Sequence, residues 1–431
     1  MAQEPINVGL LGLGTVGSGV VKLLEQNGTA IATKIGRPLR VARVLVRDTA
    51  KPRAVSIAPE LLTTDPQQIL EDPAIPVIAE VMGGVEPARE YLLTALARGK
   101  SVVTANKDLL ALHGQELLET ARAHGADFFF EASVGGGIPI IHPLKEFLAA
   151  NRIEQVLGIV NGTTNYILSK MTQEGREFAE ALAEAQALGY AESDPRADIE
   201  GDDAARKLAI LASIAFNTRV TYPEVYVEGI TRISSRDILY AGELGYVVKL
   251  LAIAREEGGE IEARVHPALV PRQHPLAAVS DVYNAIFVRG DAVGEAMFYG
   301  RGAGQMPTAS AVVGDLMAVA RNLVHGATGQ VACTCFRSLP VRPMGRVECQ
   351  YYLRLTVRDR PGVLASIAGV FGNQGVSLAS VIQKRSFDGW AELVLITHRV
   401  REASLQDALK IIGGLSVVRA IDNVIRVEEG I

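Results

Sequence analysis

A glycine-rich turn near the start of the chain restricts the fold more than any other feature. The sequence Gly12-Leu-Gly14-Thr-Val-Gly17 follows an apolar run at 6–11 and precedes a helical pattern at 16–24. A strand, turn and helix in this order are typical of parallel sheets that bind dinucleotides. Gly12 permits the tight turn, Gly14 lets the backbone approach a pyrophosphate, and Gly17 allows close helix–strand packing. The alternative is a turn that only tightens packing.

The residues around this turn indicate which coenzyme would bind. Thr15 and Val16 open the predicted helix, whose free N–H groups and positive dipole end suit a phosphate. A second strand at 41–46 is followed by Arg47 and then Asp48. An aspartate at this place suits a free ribose hydroxyl, whereas an arginine suits a 2′-phosphate. The pattern favours NADP and leaves NAD open.

Apolar runs alternate with helical patterns over about the first 130 residues, as a parallel α/β sheet requires. The further elements are strands at 77–81, 101–104 and 127–130 and helices at 86–98 and 115–124. Thr104 and Lys107 follow the carboxyl end of a strand, the edge where open parallel sheets bind ligands. Lys107 could therefore reach a substrate or the coenzyme, although an exposed lysine is the simpler alternative.

The pattern changes after a glycine-rich junction at 131–138. Strands are predicted at 154–160, 261–265 and 285–288, and helices at 177–188, 203–215 and 308–323. The C-terminal part has a βαββαβ order, which predicts a self-contained ferredoxin-like unit. The predicted division is a dinucleotide-binding domain at 1–134, to which a helix at 305–335 returns by analogy with similar chains, a second domain at 135–304, a linker at 336–348 and a C-terminal domain at 349–431.

Composition excludes several classes of protein. A net charge of −5 argues against binding of nucleic acid through phosphate contacts. The chain has no apolar run of about 18 residues and no basic amphipathic stretch, which argues against a membrane partner. Cys333 and Cys335 are too close in sequence for the usual zinc pairs, and with Cys349 they predict reduced thiols in the cytoplasm.

An acidic segment at 190–207 suggests a site for an amino-acid-like substrate. Six carboxylates precede Arg206 and Lys207. Asp203 and Lys207 lie four residues apart and share a helix face, so a simple ion pair on a capped helix is one explanation. Glu192 and Asp198 lie on the preceding loop, where no helical pairing explains them and where binding residues concentrate.

Taken together, these motifs resemble homoserine dehydrogenase in its form with a C-terminal ACT domain. The matching stretches are GLGTVG at 12–17, TANK at 104–107, EASVGGGIPI at 131–140, NGTTNYIL at 161–168, YAESDPRADIEGDDAARK at 190–207 and DRPGVL at 359–364. The resemblance implies an α/β chain with a Rossmann-type doubly wound nucleotide domain, an α+β substrate and dimerisation domain, and a ferredoxin-like ACT domain.

The resemblance also implies NAD(P)-dependent interconversion of L-homoserine and L-aspartate 4-semialdehyde, in the synthesis of threonine, methionine and isoleucine. Lys207 would be the acid/base lysine, and Lys107 would contact substrate and nicotinamide. Glu192 and Asp198 would bind the substrate ammonium, and Asp203 would orient the substrate or Lys207.

By the same resemblance, a monovalent cation, sodium or potassium, would bind at Glu131, Val134, Gly136 and Ile138. The ACT domain would bind an amino-acid effector, expected to be threonine, through a turn that the resemblance assigns to Asp359, Gly362 and Asn373. The resemblance further implies a homo-dimer or homo-tetramer. An ACT sheet that pairs subunits without binding a ligand is the alternative.

Two other functions fit the glycine turn alone. A dehydrogenase of a related amino or hydroxy acid could share the sheet, but the motifs at 161–168 and 190–207 argue against it. A non-catalytic sensor of nucleotide and amino acid would have lost the proton-transfer residues, whereas Lys107, Asp203 and Lys207 are all present.

Overall fold

The computed structural model describes residues 4–330 and 333–428. The strands are β1 (Ile6–Leu11), β2 (Leu39–Leu45), β3 (Leu62–Thr63), β4 (Val77–Glu80), β5 (Ser101–Thr104), β6 (Phe128–Phe129), β7 (Ile153–Ile159), β8 (Tyr226–Val227), β9 (Tyr246–Glu257), β10 (Glu260–Pro271), β11 (Tyr283–Gly290), β12 (Gly294–Arg301), β13 (Glu348–Arg358), β14 (Leu378–Phe387), β15 (Trp390–Thr397), β16 (Val400–Arg401) and β17 (Val418–Val427). The helices are α1 (Thr15–Ile35), α2 (Gln67–Leu70), α3 (Ala88–Ala97), α4 (Lys107–Ala123), α5 (Gly162–Glu174), α6 (Phe178–Ala187), α7 (Arg196–Ile199), α8 (Asp202–Ala215), α9 (Ser235–Glu243), α10 (Gln305–His325), α11 (Val363–Asn373) and α12 (Glu402–Gly413).

The chain forms two compact units, each built from three segments. Unit 1 comprises residues 1–156, 209–222 and 284–338, and unit 2 comprises residues 157–208, 223–283 and 339–431, as far as these are described. None of the helices in the described part of the chain is long and apolar enough to cross a membrane.

Unit 1 contains the parallel sheet that the sequence predicts, with β3 as a sixth strand beyond the five predicted ones. The strand order is β3-β2-β1-β4-β5-β6 and every pairing is parallel. This is the order of the doubly wound dinucleotide-binding fold. Val8, Leu10 and Val77 on its central strands are fully buried, as expected for strands covered by helices on both faces.

Helix α10 packs against α1 within unit 1. Val312 and Leu316 of α10 share a hydrophobic core with Val20 of α1. A Cβ on Gly19 would lie 2.6 Å from the carbonyl oxygen of Gln305, so a glycine is needed where the two helices approach. The sequence predicts a helix at 308–323, and the structure extends it by about a turn at its start.

The central sheet of unit 2 contains both the hairpin β9–β10 and the C-terminal strands. The order is β9-β10-β17-β13-β15-β14, in which β17-β13-β15-β14 with α11 and α12 is the predicted ferredoxin-like arrangement. Strand β9 was not predicted, because it is buried along most of its length and therefore lacks the alternation of apolar and polar residues that indicates a strand.

The ferredoxin-like arrangement is not self-contained, in contrast to the prediction. Strand β17 pairs in parallel with β10, with Ala268 opposite Arg426. The predicted linker is also bound to β10, because Arg342 donates its backbone N–H to the Ile261 carbonyl at 2.7 Å. The physical reason is that β8 pairs with only two residues of β10, and pairing the rest of this edge satisfies more backbone groups than exposing it.

Buried charges connect the same two parts of unit 2. Arg354 on β13 donates to Asp237 on α9 at 2.7 Å, and Arg426 on β17 donates to Glu228 at 2.7 Å. Burial alone would raise the pKa of the Asp237 carboxyl, but hydrogen bonds from Arg354 and other donors hold the pKa below its ordinary value. Buried charges are tolerated only when paired, so these contacts fix the C-terminal strands in place.

Candidate active site

The three glycines of the first turn occupy three different environments. Gly12 has φ +102°, a conformation that favours glycine. A Cβ on Gly17 would lie 2.3 Å from the Gly12 carbonyl oxygen, so only glycine permits this helix–strand approach. At Gly14, by contrast, no described atom beyond its chain neighbours would lie within 4 Å of a Cβ. This open space, next to the start of α1 at Thr15, fits a coenzyme pyrophosphate.

The first turn of α1 also has the polarity that an anion requires. It contains no acidic residue, and Thr15 is exposed there. Val16 is half-buried and packs against the core of unit 1. The free N–H groups of this turn are therefore available to phosphate oxygens.

Arg47 and Asp48 lie in an exposed turn after β2. The Asp48 carboxylate accepts the Ala50 backbone N–H at 2.8 Å, which fixes its orientation within the turn. Arg47 remains exposed at the carboxyl end of the strand, where a coenzyme ribose binds in this fold.

Glu80 is a buried acid at the end of β4 that the sequence did not single out as a site residue. It has no exposed surface. It accepts the Thr104 hydroxyl at 2.6 Å and the backbone N–H groups of Met82 and Gly83 at 2.7 Å and 3.2 Å. Burial raises the pKa of the Glu80 carboxyl. A single acid at the end of an apolar strand was the available sequence signal.

Lys107 is the first residue of α4. The preceding Asn106 caps this helix by accepting the Leu109 N–H at 3.1 Å and donates to the Gly84 carbonyl at 2.6 Å. A positive charge at a helix N-terminus is electrostatically unfavourable, so helix stability does not account for a lysine here.

The predicted cation site is a buried loop in unit 1. The Glu131 carboxylate accepts the backbone N–H groups of Ile140, Ile141 and His142 at 2.5, 2.8 and 2.7 Å, so this carboxylate is already engaged. Among the described residues we find no hydrogen bond to the buried carbonyl oxygens of Val134 and Gly136. Buried carbonyl oxygens without donors fit a hard monovalent cation. Ile138, the fourth predicted member, is 1% exposed in the same loop.

A second group of potential ligands lies beside this loop. Ligand atoms of Glu131, His142 and Asp315 all lie within 4.8 Å of one another. The hydrogen bond from His142 Nε2 to Asp315, 2.9 Å long, raises the pKa of the imidazole to about 9. The protonated imidazole therefore forms ion pairs with Asp315 and Glu146.

In unit 2 the acidic segment folds into a hydrogen-bonded cluster. The Lys207 ammonium donates to Asp203 Oδ2 at 2.6 Å and to the Val160 carbonyl at 2.7 Å. The Asn161 amide donates to Asp198 Oδ1 at 2.7 Å and to Asp203 Oδ2 at 2.8 Å. One asparagine therefore holds both carboxylates beside the lysine.

Local sequence explains how Asn161 is placed. It precedes α5 and caps it, because its side-chain oxygen accepts the Thr164 N–H at 2.9 Å. The side chain is 5% exposed, and its amide N–H groups point to the two aspartates. The motif at 161–168 did not predict this role of Asn161. An asparagine before Gly-Thr-Thr was a capping signal, whereas its contacts with residues 37 and 42 positions away were not visible in the sequence.

The remaining predicted residues of unit 2 are more exposed. The Glu192 side chain faces solvent and joins none of the hydrogen bonds of this cluster. Burial raises the pKa of the half-buried Asp198 carboxyl, and the Asn161 hydrogen bond opposes this shift. In the C-terminal part, Gly362 directly precedes α11 and has φ +88°, while Asp359 and Asn373 are exposed before the helix and at its end.

The chain matches three family models that together cover most of its length. Its residues 139–317 match the family model "Homoserine dehydrogenase", residues 12–131 match "Homoserine dehydrogenase, NAD binding domain", and residues 351–416 match "ACT domain". The homoserine dehydrogenase of Corynebacterium glutamicum is 48% identical over 98% of this chain and 96% of the relative. The chain belongs to the homoserine dehydrogenase family. It is an NAD(P)-dependent oxidoreductase that acts on a CH–OH group.

Other homoserine dehydrogenases are similar to the chain in sequence or in structure. The enzyme of Bacillus subtilis is 46% identical over 99% of both chains. The crystal structure of the homoserine dehydrogenase of Thiobacillus denitrificans has a TM-score of 0.93 and 44% identity, covering 99% of both chains. A hyperthermophilic archaeal homoserine dehydrogenase solved in complex with NADPH has a TM-score of 0.63 and 30% identity, covering 73% of this chain and 98% of its own.

Proposed function

We propose that Lys207 is the proton donor and acceptor in the interconversion of L-homoserine and L-aspartate 4-semialdehyde. An ammonium has three N–H donors, and two of those of Lys207 are engaged by Asp203 and Val160. The third is available to the substrate oxygen at C4, and this geometry carries the proposal. The bound nicotinamide coenzyme supplies or accepts the hydride.

In this proposal the proton passes directly between Lys207 Nζ and the substrate oxygen. In the reductive direction the Lys207 ammonium donates a proton to the oxygen as that oxygen gains negative charge, and the lysine becomes neutral. In the oxidative direction the neutral amine takes the hydroxyl proton. The ion pair with Asp203 holds the Nζ atom in position for both steps. Asn161 positions Asp203.

The charge of the cluster suits the amino group of the substrate. The half-buried Asp198 carboxylate accepts a hydrogen bond from Asn161, and its negative charge suits a substrate ammonium. Glu192, exposed on the preceding loop, adds a second negative charge. We propose that these two carboxylates bind the ammonium and that Lys107 contacts substrate and coenzyme.

We propose NADP as the preferred coenzyme, monovalent Na⁺ or K⁺ at the 131–138 loop, and threonine as the effector at Asp359, Gly362 and Asn373. The position of Arg47, the two carbonyl groups without donors and the exposed turn at the start of α11 support these assignments. From family membership we further propose a cytoplasmic homo-dimer or homo-tetramer in threonine, methionine and isoleucine synthesis.

One set of assays of the purified full-length protein tests these proposals. Homoserine oxidation is followed with NADP or NAD, in sodium, potassium or choline chloride at constant ionic strength, with and without threonine. We expect turnover with homoserine, a higher kcat/KM with NADP, loss of activity in choline and inhibition by threonine. Equal rates in choline would contradict the cation, and unchanged activity with threonine would contradict the effector.

Arg47→Ala is expected to raise the KM for NADP by about 10-fold or more and to change the KM for NAD by less than about twofold. The reason is that a charge-assisted bond to a 2′-phosphate contributes roughly 1.5–3 kcal/mol. Steady-state kinetics with both coenzymes measure this. Arg40→Ala, a change at an exposed arginine at the start of the same strand, is the control and should leave both values unchanged. Equal effects of Arg47→Ala on NADP and NAD would contradict phosphate recognition.

A further inference from the structure

Two cysteines that the dehydrogenase reaction does not use lie at one cavity of unit 1. Cys333 and Cys335 both have exposed surface, and they border a cavity of about 370 Å³. The Cys335 backbone N–H donates to Cys333 Sγ at 3.4 Å, so the Cys333 side chain turns toward Cys335. The Cα atoms of residues two apart are at most about 7 Å from one another. Disulfides usually span Cα separations of about 4.4–6.8 Å, so this pair can form one.

The surroundings favour the thiolate of Cys333. A hydrogen bond from the Cys335 thiol lowers the pKa of Cys333 to about 6, and the nearby Lys145 ammonium acts in the same direction. The pKa of Cys335 is raised by the same hydrogen bond, so Cys335 remains a thiol. An exposed thiolate beside a protonated thiol is the arrangement of an attacking and a resolving cysteine.

The cavity wall indicates the charge of the reagent. Its charged residues are Glu119, Arg122, Lys145, Arg219 and Arg337. Four of the five are basic, so the cavity attracts an anion. A metal ion is a poorer candidate for this cavity. Among the described residues, the one group of three potential metal ligands is Glu131, His142 and Asp315, which includes neither cysteine.

We propose that Cys333 and Cys335 form a thiol–disulfide exchange site for low-molecular-weight disulfides that carry carboxylates. The Cys333 thiolate attacks one sulfur of the disulfide, the S–S bond breaks, and one thiolate leaves. Cys335 then gives its proton to the departed thiolate and attacks Cys333 Sγ, which breaks the mixed disulfide and releases the second thiolate. The small disulfide is reduced by two electrons, and the two cysteines are oxidised to a disulfide.

The segment that contains the two cysteines also contacts helix α8 and the residues just after it. Cys335 Sγ lies 3.8 Å from the Ser213 carbonyl oxygen, and the Arg337 N–H donates to the Asn217 carbonyl at 2.8 Å. Oxidation changes the position of Cys335 Sγ beside this carbonyl. Ser213 lies six residues after Lys207 on the same helix.

The first test measures alkylation of each cysteine by iodoacetamide in the full-length protein, by peptide mass spectrometry. The rate at Cys333 should fall only about twofold from pH 8 to pH 6, whereas an ordinary thiol falls roughly 75-fold. Lys145→Met should make the fall steeper. Cys349 is an internal control, because burial raises the pKa of its thiol to about 11. A steep, ordinary profile at Cys333 would overturn the proposal.

The second test treats the protein with glutathione disulfide, hydroxyethyl disulfide or cystamine. The unmodified protein should lose two hydrogen atoms, Cys335→Ser should stop at a mixed disulfide on Cys333, and Cys333→Ser should not react at pH 7. The anionic disulfide should react at least about threefold faster than the cationic one, and salt should reduce the difference. A faster reaction with cystamine, or a stable adduct on Cys335, would overturn the proposal. Dehydrogenase activity is not a readout in either test, so failure of this proposal is distinct from failure of the proposed function.

Discussion

Lys207→Ala is expected to lower kcat by about 10³-fold, while the dissociation constant for NADPH changes by less than about twofold. General acid–base catalysis by one side chain typically contributes 10²- to 10⁴-fold. The coenzyme contacts proposed above belong to the glycine turn and Arg47, so they remain intact. Steady-state kinetics give kcat, and NADPH fluorescence titration gives the dissociation constant.

A matched control separates this effect from a loss of charge on a helix. Lys170 also forms an i,i+4 ion pair, with Glu174 at 2.7 Å, and lies on α5 of the same unit. Lys170→Ala should leave kcat within about twofold of the unmodified enzyme. Added small primary amines should partly restore the kcat of Lys207→Ala, since they can enter the space of the missing side chain. A Lys207→Ala variant with nearly full kcat would show that another group moves the proton.

Arg354→Met is expected to destabilise unit 2 by about 3–5 kcal/mol, the cost of leaving buried partners of a removed charge unpaired. Arg354 donates to Asp237 at 2.7 Å and to Glu392 at 3.2 Å, and both carboxylates are 1% exposed or less. Thermal and urea unfolding of the full-length protein, followed by circular dichroism, measure this change.

Two controls accompany this variant. Arg401→Met removes an arginine that is 69% exposed and pairs with Glu348 at 3.3 Å, so the change should stay below about 1 kcal/mol. Asp237→Asn combined with Arg354→Met should be less destabilising than the sum of the two single changes, because the double variant has no unpaired carboxylate at position 237. Strict additivity would contradict a direct coupling.

The stability that Asp237 contributes depends on pH in a defined direction. The folded-state pKa of its carboxyl is lowered. Because the pKa is lower in the folded protein, the ionised carboxyl stabilises the fold at pH values above the unfolded pKa of about 3.9. This stabilisation is lost as the pH falls through the folded-state pKa. The gap in unfolding free energy between the unmodified protein and Arg354→Met should therefore narrow below about pH 4.

The buried ion pairs also change how the C-terminal domain is understood. The sequence predicts a separate regulatory unit after a linker, whereas the structure continues the β9–β10 sheet through β17. Removal of the C-terminal strands would expose the edge of β10 and leave Asp237 without Arg354.

The dinucleotide-binding sheet and the family could be predicted from the sequence alone, because their signals are local. A glycine needed at Gly12 for a positive φ, or at Gly17 for close packing, is read from a few neighbouring residues. Alternating strand and helix patterns are local as well, and they predicted the parallel sheet of unit 1.

Contacts between residues far apart in the chain were decided by tertiary folding. Asn161 holds Asp198 and Asp203 beside Lys207, Glu80 accepts the Thr104 hydroxyl, and β17 pairs with β10. No periodicity encodes such partners, because a buried hydrogen bond forms wherever packing brings donor and acceptor together. The sequence therefore supplied the reactive groups and the local turns, and the packing of distant segments selected which groups share one environment and one set of charges.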